Sequence, residues 1–147
     1  MKFKVEIKNE YDRKVFENVL LNTIYRVVNR TKNRAVQLCP VDTGRLRSSI
    51  NLYPAAPGST EYIIADGVDY GAHVEFGTRP HHPPKGALKG WSKRVLGDEK
   101  ASTAVEWGIA KHGTPAQPFF RPAMMLAKSR YWREELTKEL QKTDTIF

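Results

Sequence analysis

The chain holds 147 residues with a net charge of +8, 40% of them hydrophobic and, with three Trp, six Tyr and six Phe, well supplied with aromatics. That is the length of one domain with a real core, and the composition excludes a wholly disordered chain. No apolar run nears the roughly 18 residues that span a bilayer, and the first residues lack the apolar stretch of a signal peptide, so the expected setting is the cytoplasm or an assembly built there.

In chain order, Phe3, Val5 and Ile7 alternate with Lys2, Lys4, Glu6 and Lys8, the period of a half-buried strand. A helix follows from about Tyr11 to Leu38. Phe16, Leu20, Ile24, Val27, Thr31, Ala35 and Leu38 recur at steps of three and four and form its predicted inner stripe, widened by Val19 and Val28. Pro40 ends it, because the residue before a proline is driven out of helical geometry. Cys39, the single cysteine, excludes an internal disulfide and reads as a buried structural thiol at the apolar end of this helix.

In Pro40-Val41-Asp42-Thr43-Gly44-Arg45-Leu46-Arg47, Asp42 or Thr43 is suited to cap a short turn and Gly44 to let the chain change direction. Ser48–Tyr53 reads as a strand, residues 54–58 as a loop, and Tyr62–Ile64 as a second strand. Tyr70–Thr78, with glycine at 71 and 77, reads as a turn-like or bulged piece at most. Residues 79–118 form a predicted flap or insertion. Arg79-Pro80-His81-His82-Pro83-Pro84 opens it, Leu88, Trp91 and Val95 suggest one short helix, and Ala101, Ala104, Val105 and Gly108 line the inner side of a second that ends near Lys111. A last helix starts near Pro122, with an expected inner stripe of Met125, Ser129, Trp132, Leu136 and Leu140 and a Glu134–Lys138 surface pair. The fold class is therefore α+β over a single domain, residues 1–147: a small, mainly antiparallel sheet against a long N-terminal and a C-terminal helix, with a helical insertion.

Charge is uneven. Residues 1–53 carry eleven basic and five acidic side chains, a balance of +6, while residues 54–118 balance seven against seven. The cluster Arg26, Arg30, Lys32, Arg34, Arg45 and Arg47 is suited to nucleic acid or to an acidic protein surface, and equally to a plain solvated face. Arg26, Arg30 and Arg34 recur every four residues and read as one outward stripe. No zinc finger, aromatic RNA-binding strand or convincing helix-turn-helix accompanies them.

Catalytic patterns are equally wanting. His81 and His82 are adjacent and point apart on an extended segment, so they do not share a metal ion easily. There is no Gly-x-Ser-x-Gly nucleophile turn, no phosphate loop, and no close carboxylate pair in an apolar setting. Neither an enzyme nor a cofactor is expected.

Three blocks taken together carry a resemblance: Cys39–Ile50, Tyr70–Thr78 and Gly113–Ala123. In this order, after a long helix and before a closing one, they resemble the tail-completion or neck family of siphophages and prophages, often called minor tail components or head–tail joining proteins. The likeness covers about residues 11–140, and the helical segment from 85 to 112 resembles an insertion that some members carry. It implies a non-enzymatic virion subunit assembled in the host cytoplasm into a ring, expected to be hexameric, near the head–tail junction or tail end. Its partners would be other copies of itself and other neck and tail proteins, with transient DNA contact in the ring lumen and no membrane. A ring subunit needs two complementary surfaces. Candidates are the arginines (Arg26, Arg30, Arg34, Arg45, Arg47) and the aromatics Trp91, Trp107, Phe119 and Phe120; for the aromatics, a place in the subunit's own core is an equal alternative. Asp42, Gly44 and Gly77 are the expected turn residues. The competing reading is a basic nucleic-acid-binding domain.

Overall fold

The computed structural model describes residues 9–57 and 59–144, so the strand expected from Phe3, Val5 and Ile7 lies outside the described residues. Helix α1 (Glu10–Leu38) is the spine. The Asn9 side chain accepts the Asp12 N–H at 2.9 Å, and Glu10 and Asp12 set negative charge at the positive end of the helix dipole. Cys39, extended at ψ 125°, closes the helix ahead of Pro40 as expected. The stripe is shifted from the expected one. Val19, Thr23, Val27, Thr31 and Ala35 are buried at steps of four, while Phe16, Leu20, Ile24 and Leu38 are only half-buried. Two threonines can sit inside because each hydroxyl donates to the carbonyl one turn back, Thr23 to Val19 and Thr31 to Val27, both at 2.7 Å.

Gly44, at φ +82°, starts the short helix α2 (Arg45–Ser49). This corrects the expected strand from Ser48: Ser48 and Ser49 are helical, with hydroxyls donating to the Arg45 and Leu46 carbonyls. Strand β1 (Asn51–Pro54) then pairs antiparallel with β2 (Tyr62–Ala65), Tyr53 opposite Ile63 and Leu52 opposite Ile64. The Tyr70–Thr78 block is a helix, α3 (Gly71–Phe76), rather than a bulge, because its glycines stand at the helix ends. Gly71 is buried against the Asp66 carboxylate, where an added Cβ would lie 2.4 Å from the nearest oxygen.

The insertion holds α4 (Lys89–Val95) and α5 (Ser102–His112). On α5, Ser102 is buried and Val105 half-buried, but Ala104 and Gly108 are exposed, contrary to the expected inner side. The chain closes with α6 (Phe120–Leu126), a π-helical turn over Ala127–Tyr131, and α7 (Trp132–Asp144). That turn defeats the expected stripe. A π-turn fits more residues per turn than an α-helix, so everything beyond it rotates: Trp132 is 40% exposed, while Glu135 and Glu139 turn inward; Met125, ahead of the turn, is itself 71% exposed.

The result is α+β, with α1 packed along α6, the π-turn and α7 and also touching both strands of the sheet. The core knits Ala35, Cys39, Leu46, Ile50, Phe119 and Ala123, with Val74, Ile64 and Phe120 at its margin.

Candidate functional site

The three blocks meet in space around the base of the flap. At that base Thr78 and Thr114 form an isolated antiparallel bridge, with N–H to O distances of 3.1 and 3.3 Å and hydroxyl oxygens 2.9 Å apart. Gly77 (φ +73°) and Gly113 (φ +74°) flank the bridge. A Cβ on Gly77 would lie 2.5 Å from the Thr114 oxygen, and one on Gly113 2.0 Å from the Thr78 oxygen. Backbone crowding and a left-handed φ together demand glycine at both. This is a neck through which the flap leaves and re-enters the body.

Just inside the neck, Glu75 is buried to 3% exposure. Its carboxylate accepts the backbone N–H groups of Phe119 (2.7 Å), Phe120 (2.9 Å) and Arg121 (2.9 Å), and also Arg121 Nε at 3.3 Å. Burial alone would push this carboxyl up, but the three backbone donors and Arg121 outweigh it and hold its pKa below the ordinary range. Glu75 thus supplies the cap that α6 lacks locally and ties α3 to the chain 44 residues later. No local sequence pattern marks Glu75 as a cap. Its signal was a carboxylate inside an otherwise apolar block, but the residues it caps are distant in sequence.

Between the flap, α3 and residues 40–46 lies an open, mostly apolar cleft of about 1190 Å³, lined by Val41, Leu46, Val74, Leu88, Trp91 and Ile109 among others. One ion pair crosses it. Arg94 on α4 grips Asp42 in a two-pronged contact, Nε to Oδ1 at 2.8 Å and Nη2 to Oδ2 at 2.6 Å. The hydrogen bond from Arg94 pulls the Asp42 carboxyl below its usual value. Of the two residues suited to cap the turn, Thr43 takes the Arg45 N–H on its hydroxyl at 3.5 Å and Asp42 latches the flap instead; Gly44 and Gly77 both take positive φ.

The arginine stripe is corrected most. Arg26 lies 2.8 Å from Glu139, and Arg30 reaches Glu134 at 2.6 Å and Glu135 at 3.0 Å while standing 4.1 Å over the Tyr131 ring. Both therefore reach across to α7, Arg30 half-buried and Arg26 with its side chain still half-exposed. Hydrogen bonding to Glu134 raises the Arg30 pKa further, and Glu134 itself, bonded first by Arg130 and then by Arg30, titrates lower than usual. The expected Glu134–Lys138 pair is replaced, since Lys138 goes to Glu135. Arg34 donates to Gln37, Arg47 donates to the Cys39 carbonyl at 2.9 Å, and Arg45 is exposed. Burial raises the Cys39 thiol pKa, which keeps it protonated.

The four candidate aromatics divide. Phe119 is fully buried and stacks on half-buried Phe120 at 4.5 Å between ring centres, so these two belong to the subunit's own core. Trp91 lines the cleft, whereas Trp107 is 70% exposed on the flap. Phe76, Met124 and Met125 are exposed large apolar residues on α3 and α6, and Arg121 stacks over the Phe76 ring. Among the described residues no group of three or more His, Cys, Asp and Glu side chains is arranged to hold a metal ion. No helix among them is long and apolar enough to cross a membrane. Compared with models of known protein families, with curated proteins and with solved structures, the chain matches none.

Proposed function

We propose that the chain is a structural virion protein of a tailed phage or prophage, a ring-forming subunit that completes the tail or joins it to the head. The observation that carries this reading is what the three sequence blocks do. Gly77 and Gly113 close the neck, Glu75 caps α6, Gly44 turns the chain into α2 and Asp42 latches the flap. These residues serve architecture, as a non-enzymatic subunit requires, and leave Trp107 on the flap and Phe76, Met124 and Met125 on α3 and α6 exposed for neighbours. The nucleic-acid alternative is weakened, because Arg26 and Arg30 are already matched to carboxylates of α7.

Light scattering on the full chain across a concentration series, with electron micrographs of the largest species, tests the proposal. A closed ring of defined size is the expected outcome. A monomer at every concentration that binds duplex DNA tightly at physiological salt would overturn it in favour of the nucleic-acid reading.

A further inference from the structure

The cleft under the flap has walls but little filling. Leu88, Trp91 and Val95 along α4 and Val105 and Ile109 on α5 recur at steps of three and four, so each flap helix turns one apolar ridge toward it. The body answers with Leu46 and Val74. Leu88, Trp91, Val105 and Ile109 are nevertheless only half-buried, and Val95 is 52% exposed. Helices this short hold their shape mainly by packing their apolar faces, and here those faces are half covered. The rims are stiff. Pro40, Pro80, Pro83 and Pro115 line them with fixed φ, and the Thr78–Thr114 bridge holds the base, which keeps the walls apart. The whole cleft lies among described residues, at the end of α1 opposite Asn9.

Size sets the class of occupant. About 1190 Å³ in an open cleft exceeds the roughly 300–1,000 Å³ of pockets that enclose a small molecule. A stretch of polypeptide several residues long fits it better.

The mouth sets the sign of its charge. Among the lining residues Asp42 is the only carboxylate, and Arg94 already holds both its oxygens. Arg45 and Arg79 also line the cleft; both are exposed and, among the described residues, neither has an acidic partner. Two guanidiniums are thus left over, and Asp42 on Arg94 shows what such a fork takes, a carboxylate. Nucleic acid would meet the same arginines. The ridges behind them, however, are largely aliphatic, whereas unpaired bases need aromatic faces to stack on.

We infer that the cleft docks a short segment of another protein in which apolar side chains stand next to aspartate or glutamate. The apolar side chains lie between the flap ridges and the body, and their burial gives the affinity. The carboxylates go to Arg45 and Arg79, which select the sign of the partner. Within the proposed function the segment belongs to an adjoining virion protein. That assignment alone rests on the ring-forming reading, because the cleft lies within one subunit.

The test is selection of short random peptides from a displayed library against the full chain, followed by affinity measurements on the enriched peptides. We expect sequences that combine Leu, Ile, Phe or Trp with Asp or Glu, and that slow amide exchange in α4 and α5 when bound. Arg45→Glu with Arg79→Glu, both at exposed positions, should keep the melting midpoint and weaken these peptides at least about tenfold. The same peptides with lysine at each acidic position should then prefer the reversed chain. Trp91→Ala should weaken the original peptides as well; if it unfolds the flap, the charge reversal still decides. A library that enriches nothing, peptides without acids, or binding that the reversal leaves unchanged would overturn the inference. Duplex DNA held by Arg45 and Arg79 while no peptide binds would overturn it in favour of nucleic acid. Peptide binding needs no ring, so light scattering on the same samples tells failure of this inference from failure of the ring-forming reading.

Discussion

The body and the flap are built on different terms. In the body, Phe119, Ala35 and Ala123 are fully buried, and a row of arginines on α1 meets a row of glutamates on α7. In the flap the buried residues are small, chiefly Ser92, Ser102 and Gly113, while Val95, Leu96 and Trp107 face solvent. The body is held by burial and matched charge, and the flap by the Thr78–Thr114 neck, the bond from the Gln117 N–H to the Val74 carbonyl at 2.8 Å and the Asp42–Arg94 latch. A segment with so little apolar burial opens at lower free energy than the whole molecule unfolds. The neck, where both regions meet, is accordingly the most sensitive point of the fold.

Gly113→Ala is expected to do the most damage. The new Cβ would lie 2.0 Å from a backbone oxygen with φ at +74°, so strain and displacement together should cost at least about 3 kcal/mol. Chemical denaturation measures it, and an unchanged midpoint would mean that the neck tolerates a side chain. Glu75→Ala comes next, at about 2–4 kcal/mol, because it strands buried backbone donors at the start of α6.

The sign of the pH dependence at Glu75 follows from its lowered pKa. A carboxyl held low when folded stabilises fully above its unfolded value, about 4.3, and that contribution is lost as pH falls through the folded value. Stability measured from pH 6 down to pH 2 should therefore drop more steeply in the unmodified chain than in Glu75→Gln.

Within the body, Arg30→Glu tests the matched rows. It would set a third carboxylate beside Glu134 and Glu135, and the unfolding midpoint should fall by about 5 °C or more. An unaltered midpoint would mean that the stripe is free for a partner after all. The smallest global effect belongs to the latch. Arg94→Ala should leave the unfolding midpoint nearly unchanged, because a half-exposed ion pair adds little to stability. It should nevertheless speed amide exchange across α4 and α5. If exchange slows or stays constant, the flap is held by its apolar cleft and not by the latch.

Local rules made much of this legible in the sequence. Pro40 ended α1 within a residue of its expected end, the short apolar run Tyr62–Ile64 placed β2, and the proline-rich run from Arg79 marked where the body gives way to the flap. Each depends only on neighbours in the chain, on a proline ring, a side-chain period or a glycine's free φ. Three features were decided by tertiary structure alone. The π-turn at Ala127–Tyr131 rotated the last helix and turned Glu135 and Glu139 inward, where no periodicity rule would put carboxylates, because arginines a hundred residues away were there to receive them. Glu75 became a helix cap only when folding brought Phe119–Arg121 to it. Asp42 found Arg94 across the cleft instead of capping its own turn. A buried or paired charge is stable only with its partner in place, and those partners are neighbours in space that sequence spacing does not reveal.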